Sequence, residues 1–136
     1  MTTTTTIESL QGTNLSVSLT VRDLQQSLHW YNHIVGFTVD RKMERDGVLR
    51  GVVITAGTVR MLLNQDDGAK GWERVKGEGF SLSITTEQDV DAIAQGIVER
   101  GGTLVTEPAD MPWGARAFRL RDPDGYNLSI SRFIRN

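Results

Sequence analysis

Apolar and small polar residues alternate twice along the chain in the same order, as LSVSLT over residues 15–20 and as FSLSIT over residues 80–85. Strict alternation is the mark of a strand with two unlike faces. At an offset of 65, Ser16, Ser18 and Thr20 fall on Ser81, Ser83 and Thr85, while Leu15, Val17 and Leu19 fall on Phe80, Leu82 and Ile84. The apolar faces are expected to meet helices, which leaves the Ser/Thr faces free to line something else.

Each strand leads into a helical pattern. Asp23 is placed to cap the free amides of a first turn, with Gln26 as capping-box partner, and Leu24, Leu28, Tyr31 and Val35 then share one face. Gly36 stands where a left-handed residue ends a helix, and a strand resumes over 37–41. In the second half a helix begins within 86–89, buries Val90, Ile93, Ile97 and Val98, stops at Gly101-Gly102 and yields to a strand over 103–107.

Two further strands follow each unit: 49–55 and 58–64 around Ala56-Gly57, then 115–121 and 126–132 around Asp122-Pro123-Asp124-Gly125. The second connection has type I turn preferences. The pattern predicts an α+β fold of two tandem βαβββ modules, about 14–65 and 79–134, in one domain over 14–136 behind a disordered tail, 1–13. A four-stranded sheet with one helix buries one face only, so the modules are expected to form a cup of mixed sheet together, helices outside and Ser/Thr faces inside.

Composition narrows the partners. With 38% hydrophobic and 24% charged residues and a net charge of −2, the chain has no basic footprint for nucleic acid or an anionic membrane surface. The absence of cysteine rules out disulfides, thiolate metal sites and a cysteine nucleophile, and agrees with a cytoplasmic location. The opening MTTTTTIESLQGTN lacks the basic and apolar regions of a signal peptide.

The phrase L-T-V-R-D-L-Q-Q-S-L-H-W-Y at 19–31, Gly36-Phe37, and W-G-A-R-A-F-R-L-R-D-P-D-G-Y-N-L at 113–128 resemble the glyoxalase, bleomycin-resistance and extradiol-dioxygenase group, the vicinal oxygen chelate superfamily. The resemblance spans about 14–133. It implies a divalent metal held on the cup face by His, Glu or Gln from the first and last strands of each module. Counting from Asp23, Gly57 and Gly125, those positions fall on Ser16, Met61, Ser81 and Ser129. Serine hydroxyls and a thioether are poor donors for such a cation, so neither metal nor other cofactor is expected there.

Other chemistry has competing explanations. His29 and His33 stand four apart on a helix, but that helix packs outside the cup with no carboxylate to complete a metal site. Glu44, Asp46, Glu73, Glu107 and Asp110 fall in loops or strand ends, where solvated surface charge is the simpler account. No histidine stands near Ser16, Ser81 or Ser129 to make a nucleophile. These serines make room instead, a wide and weakly polar cavity. Trp72 and Trp113 lie in Gly-rich, charged stretches, and the resemblance puts Pro112-Trp113-Gly114 at a pocket rim as a stacking wall, against cover for loop backbone or a dimer interface. Arg116, Arg50 and Arg60 are either surface charges or a guanidinium for an acidic ligand group.

The expectation is a metal-independent protein of the bleomycin-resistance type, a homodimer that sequesters a small amphipathic or aromatic molecule. Its ligand-binding residues would be Ser16, Ser18, Met61, Ser81, Ser83, Trp113, Arg116 and Ser129. One alternative is a lyase or isomerase acting on a small carbonyl substrate, with Glu107 or Asp110 as base and Arg116 stabilising an enolate. Another is a non-catalytic interaction module whose cup is filled. Whether Met61, or Arg60 and Leu62, face inward stays open at this level.

Overall fold

The computed structural model describes residues 7–134. The expected tail over 1–13 therefore lies partly outside the described residues, and 7–16 carry no regular element. Module one runs β1 (Val17–Val21), α1 (Leu24–His29), β2 (Thr38–Arg45), β3 (Val48–Ala56) and β4 (Val59–Gln65). Module two runs β5 (Ser81–Thr85), α2 (Val90–Glu99), β6 (Leu104–Asp110), β7 (Ala115–Arg121) and β8 (Asn127–Phe133). This is the predicted α+β architecture of tandem βαβββ units.

Each module forms its own four-stranded mixed sheet, ordered β1-β4-β3-β2 and β5-β8-β7-β6. β1 runs parallel to β4 and β5 parallel to β8, and the other neighbours are antiparallel. The helices begin as their caps dictate: the Asp23 carboxylate accepts the Gln26 amide, and that of Asp89 accepts those of Asp91 and Ala92. α1 does not end at His29 but widens into a π-helical stretch, Trp30–Val35, and stops at Gly36, whose φ is 112°. α2 buries Val90, Ala94 and Ile97, while Val98 is 52% exposed and so is not the core residue its spacing suggested.

One apolar core joins the modules. It takes Leu19, Val21 and Leu63 from the first sheet, Phe118, Leu120 and Leu128 from the second, and Tyr31 and Ile97 from the helices. The strand faces toward the helices are thus buried together, and the opposite faces are left outside the core. Among the described residues no helix is long and apolar enough to cross a membrane.

The modules also meet through polar groups at the β7–β8 turn. The Gly125 amide closes the turn on the Asp122 carbonyl at 3.0 Å, as the sequence suggested. Asp122 is buried and accepts the Tyr31 hydroxyl at 2.7 Å. Asp124 accepts the Arg22 amide at 2.8 Å and the Ser27 hydroxyl at 3.3 Å, and the Tyr126 hydroxyl donates to the Thr20 carbonyl at 3.0 Å. The connecting segment between the modules adds Lys76, whose ammonium bridges Asp66 at 3.1 Å and Asp124 at 3.3 Å.

Candidate functional site

Strand register decides which side chains share the open faces. In module one Ser18 lies beside Leu62, Leu62 beside Val53, and Val53 beside Arg41, making one row across the sheet. The next row is Thr20, Asn64, Gly51 and Met43. The Asn64 amide donates to the Ser18 hydroxyl. The Met43 methyl lies over Gly51, 2.7 Å from where a β-carbon would stand, so glycine there gives the thioether its seat. This face is apolar at its centre and polar toward β1.

The corresponding rows in module two are Ser83, Ser129, Arg119 and Thr106, and then Ser81, Asn127 and Arg121. The Ser83 and Ser129 hydroxyls are 2.8 Å apart, and the Arg121 Nε donates to the Asn127 side-chain oxygen at 3.3 Å. Ser18, Ser81 and Ser83 are exposed and Ser129 is half-buried, so both faces stand open to solvent in the single chain. Ser16 precedes β1 and accepts a long hydrogen bond, 3.3 Å, from the Asn14 amide.

Met61 is not part of this face. It is 3% exposed, pairs with Val17 and Ile54, and belongs to the core. The residue of module one that matches Ser129 is Leu62, since Ser18 lies beside Leu62 as Ser83 lies beside Ser129. Counting four residues from each turn glycine missed this because the register matches Leu62, five residues beyond Gly57, with Ser129, four residues beyond Gly125. Leu62 is no better a metal donor than Met61, and the residues at these positions do not fit a divalent cation.

Arg116 is also placed elsewhere. It lies on the helix side, bidentate to Asp91 at 2.6 and 2.9 Å, with Asp110 at 3.0 Å. The Arg116 guanidinium holds the Asp91 carboxyl below the usual aspartate range, and the pair raises the arginine further above its own. Asp110 and Arg116 are therefore engaged with each other rather than turned toward a cup. Glu107 is exposed in a stretch of β6 whose register shifts. Trp113 is 68% exposed at the β6–β7 turn, and Trp72, 45% exposed, lies over Gly68 in the connecting segment. Arg60 pairs with Asp40 at 2.6 Å. His29 and His33 stack at 4.9 Å, and no group of three or more metal-binding side chains occurs among the described residues.

Two features of the site were not singled out from sequence. Arg119 and Arg121 share the open face of module two, a placement visible in A-R-A-F-R-L-R, where buried Phe118 and Leu120 alternate with them. The other is a cleft of about 780 Å³ between the β3–β4 turn and α2, lined by Phe37, Gly57, Ile84, Ile93 and Arg100. It lies where the two modules meet opposite the Asp122 turn, and only tertiary packing creates it.

The family model described as "Glyoxalase/Bleomycin resistance protein/Dioxygenase superfamily" matches residues 14–130. The chain belongs to this superfamily. Among solved structures it is similar to TioX from Micromonospora sp. ML1, with a TM-score of 0.70, 20% identity, and coverage of 90% of this chain and 100% of that one. A glyoxalase/bleomycin resistance protein/dioxygenase from Nocardioides gives a TM-score of 0.73 at 19% identity, covering 96% of this chain and 89% of that one. The virulence protein STM3117 from Salmonella typhimurium gives 0.69 at 19% identity, covering 93% and 100%. At such identities the likeness is one of fold. No curated protein matches the chain.

Proposed function

We propose that this superfamily member binds a small amphipathic or aromatic molecule on the open faces of its two sheets, without a metal ion, and acts by sequestration. The observation that carries this reading is the register: Ser18 beside Leu62 and Ser83 beside Ser129 put short hydroxyls and an apolar side chain on the open faces, the faces on which the family's metalloenzymes carry imidazole and carboxylate ligands. Short side chains leave space, and the face of module one supplies Leu62, Val53 and Met43 as an apolar floor.

A second copy completes the site in this reading. Each face is open in the single chain, and covering an apolar centre such as Leu62 and Val53 is favourable at roughly 25 cal/mol per Å² of apolar area. The exposed Trp113 then serves as rim or interface rather than as a wall within one chain. The lyase or isomerase alternative is weakened, because Arg116, its enolate partner, is paired on the helix side to Asp91 and to Asp110, one of its two candidate bases beside Glu107.

Native mass spectrometry of untagged, freshly purified protein tests the proposal. A metal-free dimer, alone or with an organic adduct, is the expected result. One tightly held divalent ion per chain would return the protein to the metalloenzymes.

A further inference from the structure

The open face of module two carries two arginines on one strand, Arg119 and Arg121. The protein carries 17 acidic and 15 basic residues, and several of its arginines are matched to a partner on the protein. Arg60 binds Asp40, Arg74 binds Asp66, Arg116 binds Asp91 and Asp110, and the Arg100 Nε donates to the Ile34 carbonyl. Arg119 and Arg121 are different. Among the described residues the Arg119 guanidinium has no hydrogen-bond or ion-pair partner, and that of Arg121 has one long contact to an uncharged amide, Asn127.

Both arginines are exposed and stand two residues apart on β7, opposite to buried Phe118 and Leu120. Their α-carbons are therefore roughly 7 Å apart on one face, a spacing from which two long side chains converge on a single acidic group. The residues beside them in register are Ser129 and Asn127, then Ser83 and Ser81, all hydrogen-bonding side chains and none acidic. The face of module one presents Leu62, Val53 and Met43 at its centre, with a single arginine, Arg41, on its β2 edge.

We infer that the ligand is an amphipathic anion, a flat apolar body bearing one carboxylate, sulfonate or phosphate, with the acidic group held by Arg119 and Arg121. This rests on the reading of the open faces as the ligand site. It adds the sign of the ligand's charge and the residues that select it. A planar fork of N–H donors matches an oxyanion, and charge-assisted hydrogen bonds are the stronger kind.

Two fluorescent probes that share one ring system separate the ideas. 1-Anilinonaphthalene-8-sulfonate carries an anion, and N-phenyl-1-naphthylamine is the same skeleton without it. Titrated into the full chain, the sulfonate is expected to bind at least about ten-fold tighter. The double variant Arg119→Gln/Arg121→Gln should lose that preference and keep the affinity for the neutral dye, and added salt should weaken the sulfonate alone. Equal affinities, or a preference that survives in the double variant, would overturn the inference while leaving the binding face in place. Ser83→Trp, at an exposed position, should block both dyes, with far-UV circular dichroism confirming its fold. If neither dye binds, or if both still bind to Ser83→Trp, the open face is not the ligand site and both ideas fall.

Discussion

Tyr31 is fully buried, and its hydroxyl ends on a carboxylate that belongs to the other module, 91 residues away in sequence. Burial pushes the Asp122 carboxyl above the ordinary aspartate value of 3.8, while the Tyr31 hydroxyl and the amides of Asp124 and Tyr126 oppose that shift. The tyrosine is raised far above its own usual value by burial and by the same carboxylate. Tyr31→Phe removes the donor and keeps the ring, so urea unfolding should show a loss of about 1–3 kcal/mol, the cost of leaving a buried acceptor short of a partner. Asp66 has the opposite sign. Hydrogen bonds from the Gly68 amide, Arg74 and Lys76 hold its carboxyl well below the usual range. A folded-state value below the unfolded one means that the folded chain binds fewer protons, so this stability is present at neutral pH and is lost as pH falls through 3.8 and below. For Asp122 the raised value works the other way, and its contribution declines as pH rises from 3.8 through the folded value. Asp66→Asn should lower stability at neutral pH and flatten the loss on acidification, read from urea midpoints across the acid range. A variant that keeps the full acid slope would remove Asp66 as its source.

At the scale of elements, β4 separates what was legible from what was not. Alternation in LSVSLT and FSLSIT placed the hydroxyl faces correctly, because period two needs no knowledge of the partner strand. The Asp23 cap and the Asp122–Gly125 turn were legible for the same reason, since each is a local hydrogen-bonding arrangement. The position of Met61 was not, because a face inferred by counting from a turn flips with every residue the turn gains or loses. The inserted turn of the π-helical stretch and the Tyr31–Asp122 contact were equally hidden, as both depend on how the modules pack. The placement has a direct consequence for mutation. Met61→Ala opens space in a closed core and should cost about 2–5 kcal/mol by urea unfolding. Leu62→Ala, on the open face, should cost much less while weakening the binding of N-phenyl-1-naphthylamine. The reverse ranking in stability would put Met61 back on the ligand face.

Across the whole molecule the two junctions between modules are related by the internal repeat but are finished differently. In each, the last hairpin turn of one module approaches the helix of the other. At the β7–β8 turn, the connecting segment folds over the contact and contributes Lys76 to Asp66 and Asp124, which leaves a smaller cleft of about 400 Å³. At the β3–β4 turn the cleft of about 780 Å³ stays open. The connecting segment can lie so close only because Gly77 has φ +81° and no side chain: a β-carbon there would stand 2.7 Å from the Gly125 carbonyl oxygen and 2.9 Å from the Tyr126 α-carbon. Both obstacles are backbone and cannot rotate aside. Gly57, in the turn beside the open cleft, also has a left-handed φ, +60°, but a β-carbon there meets nothing within 4 Å. The pair makes a controlled comparison. Gly57→Ala should cost only the backbone term, about 1–2 kcal/mol for a left-handed residue with a side chain. Gly77→Ala carries that term and the clash, so its segment must lift, taking Lys76 from two nearly buried carboxylates and exposing the turn that holds Tyr31. Its loss of stability should be clearly the larger of the two, and hydrogen exchange should quicken at residues 76–80 and 122–126 together. Equal costs, with exchange changed only around residue 77, would mean that the segment is a tether and that the buried Tyr31–Asp122 contact holds the modules without it.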